Sequence, residues 1–115
     1  MYKIKKKFEV AASHKLSLSY DSPCENLHGH NWIITVYCQN DKLDADGMVI
    51  DFKVIKDIIH GAMDHSYLND IFPNPTAENM VVYIATIIGT QLTDDLKLTK
   101  VVLWETEGSY AEWRG

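Results

Sequence analysis

Two stretches of this chain alternate in polarity with the same parity, and the parity decides which face of a sheet each side chain reaches. In residues 2–14 the even positions Tyr2, Ile4, Phe8, Val10 and Ala12 are apolar, and His14 continues the series. In the second stretch the even positions are His28, His30, Trp32, Ile34, Val36 and Cys38. Side chains alternate across a strand, so each stretch reads as a strand with one apolar face. Only thirteen residues separate His14 from His28. Antiparallel pairing across that connection brings His14, His28 and His30 together at one end of the sheet. Three imidazole ligands with a fourth position open is the donor set of a catalytic zinc, not a structural one. A lone inward histidine is usually a hydrogen-bonded core residue. Three of the chain's five histidines sharing one face and one end point instead to a metal or catalytic cluster.

A length of 115 residues predicts one domain, 1–115, and 46% hydrophobic residues supply a small core that oligomerisation would enlarge. The net charge of −5 argues against nucleic acid or an anionic membrane as partner. Lys3, Lys5, Lys6 and Lys7 form a local basic run, read as a solvated strand face that discourages edge-to-edge aggregation. No apolar stretch is long enough to span a bilayer, and the N-terminal lysines are followed by no signal-type apolar region. Two cysteines, Cys24 and Cys38, make no disulfide framework, so the expected compartment is the reducing cytoplasm.

Residues 15–27 carry loop chemistry, and residues 29–39 form the second strand. Asn40–Gly47 is turn-rich, and Met48–Ile50 reads as a short strand end. Asp51 is a candidate N-cap for a helix over 52–63, with Phe52, Ile55, Ile58 or Ile59, and Ala62 on its apolar face. A loop over 64–75 leads to Thr76, which caps a second helix reaching about Leu92. Residues 98–106 and Tyr110–Arg114 are strands around a turn at Gly108. Strand, strand, helix, helix, strand, strand is an α+β layout, with antiparallel hairpins and two helices on one face.

Other residues carry chemistry with alternatives open. Cys24, four positions before His28, can be a thiolate base or nucleophile, a fourth zinc ligand, or an inert loop thiol. Cys38 has the inward parity of a core residue. Asp64-His65 after the first helix can shuttle protons, or His65 can simply suit the helix C-terminus. His60, inside that helix, is taken as a surface residue. Glu105 shares parity with Val101 and Leu103. An inward carboxylate needs a partner, either a ligand presenting two parallel N–H donors or one of Lys97, Lys100 and Arg114.

The runs Ala12-Ser13-His14, Cys24 with His28-Gly29-His30-Asn31, Asp64-His65-Ser66-Tyr67-Leu68-Asn69, Pro75-Thr76-Ala77-Glu78-Asn79 and Trp104-Glu105-Thr106 together resemble the 6-pyruvoyl-tetrahydropterin synthase superfamily. The resemblance covers essentially the whole chain. It implies the tunnelling fold: a four-stranded antiparallel sheet with two helices, closed by three subunits into a twelve-stranded barrel, with two trimers stacked as a homohexamer. It further implies zinc held by His14, His28 and His30, a catalytic Cys24, a catalytic Asp64-His65 pair, and pterin binding by Glu105 with Thr106, at sites between subunits. Lys15 is a candidate contact for a substrate triphosphate.

The three residues between Cys24 and His28 resemble the 6-carboxy-5,6,7,8-tetrahydropterin synthases of the queuosine and deazapurine pathway. The implied reaction converts 7,8-dihydroneopterin triphosphate to 6-carboxytetrahydropterin, acetaldehyde and triphosphate. A pyruvoyl-forming synthase is one alternative. A side-chain-cleaving, hydroxymethylpterin-forming relative is another, and that branch uses glutamate where this chain has Cys24 followed by Glu25. A zinc-stabilised pterin- or purine-binding module without turnover is the alternative of another class. Cys24 and Asp64-His65 speak against it, since a binder needs neither.

Overall fold

The computed structural model describes residues 1–93 and 95–115. Strand β1 (Tyr2–His14) pairs antiparallel with β2 (His28–Asn40) along its whole length, in a register that sets His14 opposite His28 and Ala12 opposite His30. β2 pairs on its other side with β4 (Lys97–Thr106), which pairs in turn with β5 (Ser109–Arg114), both antiparallel. The Glu107-Gly108 turn joins the last two strands.

The sheet has one strand more than the expected four. β3 (Ser66–Tyr67) lies parallel to β1 against Ala12 and Ser13, giving the order β3-β1-β2-β4-β5 and making the sheet mixed. Two residues carry no periodicity, so nothing in the local sequence marks them as a strand. Met48–Ile50 is not a strand end. Asp44 accepts from the backbone N–H groups of Asp46 and Met48, and the segment closes as a turn around Gly47 at φ +82°.

Helix α1 (Phe52–Met63) starts where Asp51 accepts from the Lys53 N–H, and α2 (Ala77–Gly89) starts where Thr76 accepts from the Asn79 N–H. α2 stops at Gly89, short of the expected Leu92, with Thr90 as its C-cap. α1 buries Ile55, Ile59 and Met63, a four-residue spacing that makes one stripe. Phe52, expected on that stripe, is 47% exposed. α2 buries Met80, Val81, Ile84, Ala85 and Ile88. Both stripes pack on the face of the sheet formed by Phe8, Val10, Trp32, Ile34, Val36 and Leu103. Ile59 is fully buried there. Ile59→Ala is expected to cost about 2–5 kcal/mol, read as a lower denaturant midpoint at unchanged slope. A midpoint equal to wild type would show that this stripe does not hold the helix to the sheet. No described helix is long and apolar enough to cross a membrane.

Candidate metal centre and adjoining cavities

The β1–β2 register delivers the three imidazoles to one end of the helix-covered face. Ring centroids lie 4.4 Å apart for His14 and His28, 4.8 Å for His28 and His30, and 5.3 Å for His14 and His30. Trp32, fully buried, stands edge-on to His14 and His30 and gives them an aromatic floor. His14 Nδ1–H donates to the Pro75 carbonyl at 2.9 Å, and His28 Nδ1–H donates to the Asn26 carbonyl at 2.7 Å. A carbonyl only accepts, so these contacts place the hydrogens on Nδ1 and leave each Nε2 as a lone pair.

The two Nε2 atoms face each other at 2.9 Å. That distance fits a hydrogen bond only if one ring carries two protons. Burial opposes this most for His14, whose pKa is lowered chiefly by desolvation and also by its neighbours His28 and His30. His30 is lowered by burial in the same way. Its Nε2 is buried, and the polar atom facing it is Glu105 Oε1 at 3.1 Å, with no hydrogen bond formed. Converging lone pairs and an orphaned ring nitrogen fit a divalent metal better than a proton. The donor set of three imidazole nitrogens suits zinc.

Glu105 stands beside this trio. The donor atoms of His14, His28, His30 and Glu105 lie within 4.8 Å of one another. Glu105 is not an ion-pair partner of Lys100 or Arg114, both of which pair with Glu112. The β4–β5 register skips it: Trp104 pairs with Tyr110 and Thr106 with Ser109. A bulge of this kind re-aims a side chain. The trio's expected open side is therefore lined by a carboxylate, nearer to the histidines than the sequence alone indicated. The same residue, with Thr106, Trp104, Asn31 and Ile33, lines a cavity of about 480 Å³. That volume suits a small heterocycle.

Cys24 sits half-buried in the short turn Pro23–Glu25, capped by Ser22, and its carbonyl accepts from Leu16 N–H. It does not belong to the four-residue donor group. The loop carrying it is held by two asparagines to which the sequence assigns no role. Asn69 brackets the backbone of Lys15 and Asn74 that of Ser17, each donating and accepting as a strand neighbour would. The Lys15 side chain is exposed. Cys38 is buried, and burial pushes its thiol up to about 11, so it is a core residue.

Asp64 and His65 lie at the outer edge of β1. Asp64 Oδ1 accepts from the Ala11 N–H at 3.0 Å, which with the nearby His65 and His60 rings holds its carboxyl below the usual range. His65 Nε2 stands 3.5 Å from Asp64 Oδ2. A trough of about 470 Å³ runs from His30 past Asn31 to His65 and Ser66, and Cys24 is not among its lining residues. His60, expected at the surface, is half-buried and hydrogen-bonded to β1. The contact with Glu9 spans 51 residues, so no local sequence signal marks it.

Residues 3–115 match the family described as 6-pyruvoyl tetrahydropterin synthase. The chain is 36% identical to a dihydroneopterin monophosphate aldolase of Pyrococcus furiosus, over 77% of this chain and 81% of that one. It is 28% identical to a 6-carboxy-5,6,7,8-tetrahydropterin synthase of Aquifex aeolicus, over 98% of each chain. The same named activity in Synechocystis is 35% identical over 73% of this chain and 72% of the relative. The fold superposes on 6-pyruvoyl tetrahydropterin synthase of Caenorhabditis elegans with a TM-score of 0.79 at 21% identity, covering 99% and 95% of the two chains. Fold, histidine cluster and sequence agree: the chain belongs to the 6-pyruvoyl tetrahydropterin synthase family, oligomeric lyase-type enzymes that act on pterins.

Proposed function

We propose that this chain is a zinc-dependent 6-carboxy-5,6,7,8-tetrahydropterin synthase acting on 7,8-dihydroneopterin triphosphate. The observation that carries the reading is the convergence of three imidazole nitrogens and Glu105 beside a cavity of about 480 Å³. His14, His28 and His30 would hold the metal. Bound zinc supplies Lewis acidity at the hydroxyls of the pterin side chain. Glu105 accepts two N–H donors from the edge of the pterin ring, with Thr106 beside it. Cys24 and His65, the latter oriented by Asp64, move protons on the side chain as triphosphate leaves and a carbon–carbon bond breaks. Lys15, exposed just after β1, would meet the triphosphate.

Cys24 and His65 act from different subunits in this reading. Among the described residues, the outer edge of β1 before Glu9 carries no neighbouring strand, and β5 is the last strand at the other side of the sheet. Two such edges support closure by three subunits into a barrel, with two trimers forming a hexamer.

A second reading within the family is side-chain cleavage to a hydroxymethylpterin. Exposed Glu25 beside Cys24, and the similarity to an aldolase of Pyrococcus furiosus, favour it. Product analysis separates the two. Acetaldehyde and a carboxylated pterin are expected from 7,8-dihydroneopterin triphosphate; a hydroxymethylpterin without acetaldehyde selects the second reading.

Glu105→Gln tests the substrate class. The amide replaces one acceptor with a donor facing a pterin donor. Losing a charge-assisted bond costs roughly 1.5–3 kcal/mol, so affinity for a non-reactive pterin should drop at least about tenfold. Zinc content should stay unchanged. Equal affinities would reduce Glu105 to a structural residue, and lost zinc would make it a ligand.

A further inference from the structure

α1 ends against the outer edge of β1, and side chains and backbone there take the place of a neighbouring strand. His60 Nε2–H donates to the Glu9 carbonyl at 2.7 Å, Ala11 N–H donates to Asp64 Oδ1, and His65 N–H donates to the Ala11 carbonyl at 2.6 Å. The His60 ring also stands edge-on to Phe8, with centroids 5.7 Å apart. The carbonyl accepts from Nε2–H, and Nδ1 lies 3.6 Å from Asp64 Oδ2, a contact that attracts the carboxylate when Nδ1 also carries a proton. The same oxygen faces His65 Nε2 at 3.5 Å. Oδ2 thus lies between two imidazoles, one anchored and one free.

The free one is His65. Its side chain is 83% exposed and its backbone sits at φ +56°, a conformation uncommon outside glycine. Asp64 is the acidic side chain paired with its ring. Asp64 Oδ2, 3.5 Å from Nε2, is thus a group that can orient the His65 ring.

Resting on the reading of Asp64–His65 as the proton-moving pair, we propose that His60 is a positioning residue, a fixed imidazole wall that holds Asp64 Oδ2 towards His65. Its anchorage to Glu9 and Phe8 is independent of any ligand. The hollow around these groups, about 460 Å³, also carries the charges of Lys6, Lys7 and Glu9 from β1 and Lys56 from α1. The test must therefore read His65 itself.

The experiment follows the His65 ring nitrogens by NMR through a pH titration of the full chain, alongside steady-state kinetics. His60→Phe keeps the ring against Phe8 and removes both nitrogens. His60→Gln keeps a donor for Glu9 and removes the nitrogen facing Asp64, and it reads the same coupling if the Phe variant does not fold. Both variants are expected to displace the His65 titration midpoint. They should lower kcat by roughly ten- to a hundredfold, with KM and zinc content unchanged. An unmoved His65 midpoint in a folded variant overturns the inference, whatever happens to kcat. A displaced midpoint in a protein that turns over no dihydroneopterin phosphate supports the His60–Asp64–His65 linkage and removes the proposed function alone.

Discussion

Cys24→Ala is expected to abolish turnover while leaving the fold and the bound zinc intact. The thiol lies outside the donor group of His14, His28, His30 and Glu105. Its backbone rather than its sulfur ties the loop together, through the Leu16 N–H and the Ser22 cap. Removing the sulfur therefore removes proton transfer and little else. A positioned acid or base typically contributes about 10²–10⁴-fold, and kcat should fall by that range. Metal analysis and circular dichroism of the variant accompany the assay. Loss of zinc would reassign Cys24 as a ligand, and undiminished kcat would make it an inert loop thiol.

His28→Ala should lose the metal and, with it, activity. Three nitrogens define the trio, and His28 is pinned for the purpose by the Asn26 carbonyl. With Glu105 reserved for the substrate, only two imidazoles remain, fewer than the three protein ligands of a catalytic zinc site. The expected result is one zinc per chain in the wild type and a small fraction of that in the variant, with a native-like spectrum. Acid should have a related effect. Histidine ligates only when neutral, so metal affinity falls as pH falls. Burial lowers the pKa of His14 and His30, which keeps them neutral below the ordinary histidine range. The unfolded chain takes up those protons first. Metal-free protein is therefore at full stability above the ordinary histidine pKa and loses stability as pH drops towards the lowered folded values. A denaturant midpoint rising on acidification through that window would contradict the assignment.

The histidine trio was legible because a strand repeats every two residues. Equal parity at His14, His28 and His30 needed only the antiparallel register to become a cluster. The helices were legible from their stripes and from Asp51 and Thr76 as caps. Parity also gave the direction of Glu105, but not its distance from the histidines. A bulge depends on the pairing of two strands, and no residue in Trp104-Glu105-Thr106 announces one. β3 was illegible for a similar reason: Ser66 and Tyr67 are extended because β1 lies beside them. α2 was read too long because Leu92 continues its apolar spacing after the chain has left the helix at Gly89. His60 looked like an exposed helix residue until the tertiary structure set it against Glu9.

Acetaldehyde released from 7,8-dihydroneopterin triphosphate by metal-free protein, before and after one equivalent of zinc, measures the proposed chemistry and its cofactor together. The account predicts none before zinc and stoichiometric release with 6-carboxytetrahydropterin afterwards. Equal release in both samples, or a zinc-loaded protein that leaves the substrate intact, would contradict it.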